Sequence, residues 1–274
     1  PARDRVDQRR HRKQQPGGFG NTILAFPEGE KVTLLGVKAE AVTKLMAHRM
    51  GLPCIAAGSL IDTPDGRRPI ESLRAGQLVL TPRGPAPVLW TGGCSFGAAA
   101  LSANPLLRPV LVQRGALGND RPLALSRQHA VQITGPDGRP ALARAGQLAR
   151  LGYGAFRLQD GCRRVDWHHL LLPAHALIRA NGAWVESLWP GPRALAGLGR
   201  QARAEIAAAV PALSPALTSP ALLPTVYGPQ LGPLLTGAAL RALGKPAAAR
   251  EPMWALTDSA VSAPATAKLR QSAG

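Results

Sequence analysis

Apolar and polar positions along the chain change rhythm three times. Residues 1–20 are polar and basic, with no apolar period, and read as a disordered tail. From Asn21 to Gly36 two short apolar runs flank Pro27-Glu28-Gly29-Glu30, the pattern of a β-hairpin. Val37 to Met50 then has helical spacing and stops at Gly51, with Pro53 beyond. Residues 21–53 are thus expected to form a hairpin-and-helix lead-in.

From Cys54 onward, short β-like runs are punctuated every eight to twelve residues by Pro-Asp-Gly and glycine-rich turns. The expected strands are Ser59 to Thr63, Gln77 to Thr81, Val88 to Thr91, Arg108 to Val112, Leu123 to Ser126, His129 to Thr134, Ala155 to Leu158, Trp167 to Leu172 and Ala176 to Arg179. That spacing predicts an all-β domain over residues 54–190. Beyond it, Pro192 to Ala208 reads as an Ala-rich helix and Pro211 to Leu235 as a Pro-rich wrap. Together they make a mostly irregular or helical extension over 191–245. Residues 246–274 lack periodicity and are expected to fray.

An internal echo runs through the β domain. Pro-Asp-Gly-Arg at Pro64 returns at Pro136, and Arg-Ala-Gly-Gln-Leu at Arg74 returns at Arg144. Two copies are too few for a solenoid, so the echo predicts two β halves related by a pseudo-twofold axis.

Composition narrows the function classes. Gly 30 and Pro 26 argue against a helix bundle, and an aromatic content of 4% leaves an aliphatic core. Ile206 to Leu240 carries no Asp, Glu, Lys or Arg, but six prolines interrupt it, so no membrane span is expected. The net charge is +17, yet 27 of the 33 basic residues are Arg dispersed through an Ala, Gly and Pro background without interleaved aromatics. Nucleic acid is therefore the least favoured partner. Cys54, Cys94 and Cys162 have no CxxC spacing, which predicts neither a disulfide framework nor a zinc site, and no metal or other cofactor is expected.

The remaining chemistry centres on Cys54, at the edge of the first strand-rich segment. A thiol there can attack the carbonyl of its own preceding residue, if the amide is polarised and an acid protonates the departing amine. Ser126 and His129, three residues apart at a strand boundary, are candidates to hold and protonate that amide. Taken alone, a single Cys or His is more often a packing residue. His168 and His169 are adjacent on an expected strand and point to opposite faces, which predicts one core and one surface residue. Cys94 and Cys162 read as packing thiols. Asp166 and Glu186 are candidates to orient His175.

The run CIAAGSLIDTPDGRRPIESLRAGQLVLT, followed by RPVLVQRGALGND, LSRQHAV, DWHHLLLPAHALIRANG and VESLWPGP, resembles the bacterial branch of the Hint superfamily, the Hedgehog/intein self-processing domains. The resemblance implies a horseshoe-like all-β fold of two duplicated halves. It also implies Cys54 as nucleophile, Ser126 and His129 in the place of a Thr-x-x-His motif, and His175 as the later histidine of inteins. The lead-in resembles segments upstream of such domains in secreted, repeats-in-toxin-like proteins, so a secreted or extracellular location within a larger exported protein is expected.

Two departures limit the inference. No His-Asn pair ends the domain, where the chain reads Ala183-Trp184-Val185-Glu186-Ser187, so full splicing is not expected. Gly76-Gln77 stands where the family has Gly-Asp. The expected activity is a single-turnover shift of the acyl group from nitrogen to sulfur at Pro53-Cys54. The partner is the upstream segment of the same polypeptide, and water or an unknown nucleophile then cleaves or takes over the thioester. The alternative is a catalytically inactive Hint scaffold in a secreted or adhesin-like protein.

Overall fold

The computed structural model describes residues 22–25, 31–34, 52–232 and 234–244. The expected basic tail, the 37–50 helix and the 246–274 tail lie outside the described residues. Strands β1 (Thr22–Ala25) and β2 (Lys31–Leu34) pair antiparallel, Thr22 opposite Leu34.

The body is built from β3 (Ile55–Ala56), β4 (Leu60–Thr63), β5 (Gly66–Pro69), β6 (Leu78–Thr81), β7 (Gly84–Pro87), β8 (Trp90–Gly97), β9 (Val110–Val112), β10 (Leu123–Leu125), β11 (Ala130–Thr134), β12 (Pro140–Arg144), β13 (Phe156–Leu158), β14 (Arg164–Leu171), β15 (Leu177–Ala180) and β16 (Ala183–Glu186). They form two six-stranded sheets and one two-stranded ribbon, β6-β7. One sheet runs β13-β9-β10-β3-β14-β8 and the other β12-β11-β16-β15-β4-β5.

Both orders read the same from either end when β3, β4, β5, β8, β9 and β15 are exchanged for β10, β11, β12, β13, β14 and β16. The twofold relation expected from the echo is therefore built into the sheets. Its axis passes between β3 and β10, where Ile55 lies opposite Leu125, and between β15 and β16. The two Pro-Asp-Gly-Arg units turn the β4-β5 and β11-β12 hairpins at opposite edges of the second sheet.

The physical cause is patterning. β4, β9 and β10 alternate buried and partly buried residues, with Ile61, Val110, Val112, Leu123 and Leu125 in a shared aliphatic core. β5 and β7 were not expected as strands because Gly-Arg-Arg-Pro and Gly-Pro-Ala-Pro have no apolar alternation. Each is the outer member of a hairpin, a place that tolerates proline. The expected Val88–Thr91 strand is corrected to β8, which starts at Trp90 and continues to Gly97 opposite the whole of β14.

The extension is more ordered than a wrap. Pro192–Gly197, Arg200–Ala209, Ser214–Thr218, Leu223–Val226 and Gly237–Leu243 are helices. Pro192, Pro215 and Pro224 sit in their first turns, where a missing N–H costs nothing. Ile206, Leu213 and Leu223 pack with Leu52, Cys54 and Trp167 in one apolar cluster, while Leu240 enters the main core. No helix among the described residues is long and apolar enough to cross a membrane.

Candidate functional site

Cys54 stands immediately before β3 at the junction of the two halves and is 3% exposed. Its backbone is pinned from the partner half. Ser126, just past β10, accepts the Cys54 N–H on its Oγ at 2.9 Å and donates its own N–H to the Cys54 carbonyl at 2.9 Å. The Ser126 hydroxyl donates in turn to the Leu52 carbonyl at 2.8 Å. One side chain thus fixes the nitrogen of the Pro53-Cys54 amide and the residue preceding it.

The carbonyl of the same amide is held from the other side. His169 on β14 places Nδ1 2.8 Å from the Pro53 carbonyl oxygen and Nε2 3.8 Å from Cys54 Sγ. A carbonyl can only accept, so Nδ1 carries the proton and donates. In the neutral ring Nε2 is then the basic nitrogen, facing the thiol. The thiol also lies 3.4 Å from the Leu52 carbonyl oxygen.

β14 delivers this ring because Trp167 and His168 pair with Ala56 and Ile55 of β3, which carries the next residue, His169, toward Cys54. The expectation of one interior and one surface histidine holds for His169, which is buried, but not for His168, which is half-buried. It misses the role. The interior ring touches the sulfur and the carbonyl, and no local feature separates it from its neighbour.

His129 immediately precedes β11, its N–H donating to the Ser126 carbonyl at 3.1 Å. Its ring is sealed, and neither ring nitrogen makes a well-aligned hydrogen bond among the described residues. Burial pushes its pKa down to about 4, against smaller upward pulls from the Glu186 charge and from the Cys54 and Glu186 backbone. The ring is therefore uncharged at neutral pH, which does not fit the expected resident acid.

His175 does not join the thiol. Its Nε2 lies 3.3 Å from Glu186 Oε2, and its Nδ1 accepts from the Leu231 N–H at 2.8 Å, tying the extension to the β body. Glu186 Oε1 also accepts the Ala130 N–H at 2.7 Å. Burial would raise the Glu186 pKa, but the bond from His175 and the neighbouring His129 and His175 rings outweigh it and hold the carboxyl below its ordinary value. Glu186 therefore orients His175 as expected, whereas Asp166 bonds Ser95 and Arg164 instead. Gln77, in place of the family's Asp, closes its own turn by accepting the Arg74 N–H at 2.8 Å.

Cys94 faces a cleft beside the site, and Cys162 donates its thiol to the Arg164 carbonyl. No group of three or more His, Cys, Asp or Glu among the described residues is arranged to hold a metal ion.

Cys54, the Pro53-Cys54 amide and two buried histidines, His129 and His169, thus lie at the junction of the duplicated β halves. The Hint domain family model matches residues 53–192, half of the chain, and the chain belongs to that family. Membership supports an autoprocessing type of function in general. Among solved structures the chain is similar to a bacterial intein-like domain from Clostridium thermocellum, with 14% identity over 49% of this chain and 98% of that one and a TM-score of 0.35. It is also similar to the gp41-1 intein, with 11% identity over 48% of this chain and 96% of that one and a TM-score of 0.31. No curated protein matches the sequence.

Proposed function

We propose that the domain processes its own chain at Pro53-Cys54 by a nitrogen-to-sulfur acyl shift that ends in cleavage or transfer without splicing. The observation that carries this reading is the single His169 ring, with one nitrogen on the Pro53 carbonyl and the other on the Cys54 thiol side. The thiol gives its proton to Nε2 while sulfur attacks the Pro53 carbonyl carbon. The Nδ1–H stabilises the oxygen as it takes up negative charge. The C–N bond then breaks, the nitrogen leaves as the Cys54 amine, and the proton held on the imidazolium returns to it by way of the site.

Ser126 keeps the nitrogen in line through the Cys54 N–H bond. His129, neutral and buried against the same backbone, keeps charge out of the site until a proton is delivered to it. Water or another nucleophile then resolves the thioester. Each molecule acts once.

The test is a denaturing gel of the full chain with and without dithiothreitol. Fragments of residues 1–53 and 54–274 are expected, with none from Cys54→Ala. His169→Gln is expected to slow their release by about 100-fold or more. Equal fragmentation by Cys54→Ala, or no fragments with thiol, overturns the acyl shift. An unchanged rate in His169→Gln removes that ring from it.

A further inference from the structure

A cleft of about 310 Å³ opens beside the reacting groups, between β8 and the Arg200–Ala209 helix. Leu52, Trp90, Cys94, His169, Gln201 and Glu205 are among the residues that line it. The cleft is therefore continuous with the ring that holds the Pro53 carbonyl. Its wall on β8 is flat for a steric reason. A Cβ at Gly92 would fall 1.9 Å from the Trp90 ring, and one at Gly93 would fall 2.4 Å from the Trp167 carbonyl oxygen. Trp90 lies over Gly92, and its Nε1–H donates to Glu205 Oε2 at 2.9 Å. Gln201 Nε2 donates to Glu205 Oε1 at 3.1 Å.

Glu205 is thereby held in one orientation in the wall of the cleft. Among the lining residues it is the only Asp, Glu, Lys or Arg, and among the described residues no Lys or Arg forms an ion pair with it. Arg200 and Arg203 lie on the same helix but do not line the cleft. In a chain of net charge +17, an oriented carboxylate in a cleft that His169 also lines favours a positively charged visitor there.

We propose that this cleft admits the second nucleophile, and that Glu205 selects a small, cationic, amine-bearing one. The inference rests on the acyl-shift reading and deepens it. Glu205 gathers the ammonium form. After loss of its proton to water, the free amine attacks the Pro53 carbonyl carbon of the thioester. The C–S bond breaks, Cys54 leaves as thiolate and takes up a proton, and the upstream segment ends in a new amide.

The probes are three thiols of similar size, at equal thiolate concentration, on the full chain: cationic cysteamine, neutral 2-mercaptoethanol and anionic 2-mercaptoethanesulfonate. Release of the 1–53 fragment is expected to be about fivefold to tenfold faster with cysteamine than with the sulfonate. Glu205→Gln is expected to bring the two within about twofold, and Gln201→Glu, which adds a charge without touching Trp90, to widen the gap. Salt is expected to narrow it in the parent chain. Equal rates with cysteamine and the sulfonate, or a ratio that neither variant moves, overturn the subsite while leaving the acyl shift standing. Failure of all three thiols, or release from Cys54→Ala, overturns the acyl shift and the subsite with it.

Discussion

The two halves use the same architecture for different ends, and the contrast sits where β4 and β11 begin. In the first half Ser59 precedes β4, its N–H donating to the Ala56 carbonyl and its carbonyl accepting from Ile70 at 2.9 Å. In the second, His129 precedes β11, its N–H donating to the Ser126 carbonyl and its carbonyl accepting from Ala145 at 2.9 Å. Ile70 and Leu73 are buried in the first half as Ala145 and Leu148 are in the second. The structural partner of Ala-Gly-Gln-Leu at Ala145 is therefore Ile-Glu-Ser-Leu at Ile70, and not the identical letters after Arg74.

The reason is length. The second hairpin is five residues longer, His129 to Ala145 against Ser59 to Ile70, so the repeated pentapeptide, which starts 15 residues after Ser59 and after His129 alike, arrives five residues earlier on the scaffold. There it starts the Ala145–Arg150 helix beneath the Ser126–His129 loop, where in the first half it makes a turn into β6. Duplication supplied the frame, and the second copy put a hydroxyl and an imidazole on the loop where the first has Ala56 and Ser59.

The largest expected effect separates His129 from Ser59 by titration. The folded pKa of His129, about 4, lies below its ordinary 6.5, so the folded state binds fewer protons than the unfolded one. Its contribution is full above pH 6.5, falls as pH drops toward 4 and is flat below. The total is on the order of 3 kcal/mol. Glu186, held low, loses its contribution only as pH falls below its ordinary 4.5. Urea midpoints measured from pH 7 to 3 are expected to drop in both windows. His129→Ser, which makes the second half copy the first, is expected to flatten the upper window and spare the lower. An unchanged upper slope would mean that His129 is not the titrating group.

Next comes the repeated glycine, needed twice for unrelated reasons. Gly76 has φ +88° with open space around it, so Gly76→Ala meets backbone strain of about 1 kcal/mol. Gly146 has no such angle, but a Cβ there would lie 2.7 Å from the Arg127 carbonyl oxygen and 2.8 Å from the Arg127 Cβ. Its N–H donates to that same carbonyl at 2.8 Å. Gly146→Ala is expected to cost about 1–3 kcal/mol and to push the loop carrying Ser126, slowing release of the 1–53 fragment several-fold. Gly76→Ala is expected to lower the urea midpoint while leaving that rate unchanged. Equal rate losses in the two variants would show that strain anywhere in the sheets disturbs the site.

Much of this was legible in the chain. The turn rhythm and the echo predict duplicated β halves, and motif order puts Cys54, Ser126 and His129 together because all three lie next to strands at the junction. His169 was not legible, since alternation gives its face but not its neighbour. Only the pairing of Trp167 and His168 with Ala56 and Ile55 carries it to Cys54, and that register is set by contacts more than 100 residues apart. The short helices of the extension were hidden for a local reason. Prolines that read as breakers there stand in first turns, where the same ring starts a helix.

The smallest effect is expected at the other end of the repeat. Arg67, in the first Pro-Asp-Gly-Arg unit, donates to Asp62 at 3.0 Å and also pairs with Asp120, bridging the β4-β5 hairpin to the segment that leads into the second half. The pairing raises the Arg67 pKa and lowers that of Asp120. Both side chains are well exposed, so water and salt screen most of the attraction, and holding a long side chain in one rotamer offsets the remainder. Arg67→Gln is therefore expected to leave both the urea midpoint and the release rate within experimental scatter at 0.15 M salt. A clear loss of rate, with the midpoint unmoved, would mean that the hairpin edge of the first half communicates with the junction. The division of labour between an inert and a chemical half would then fail.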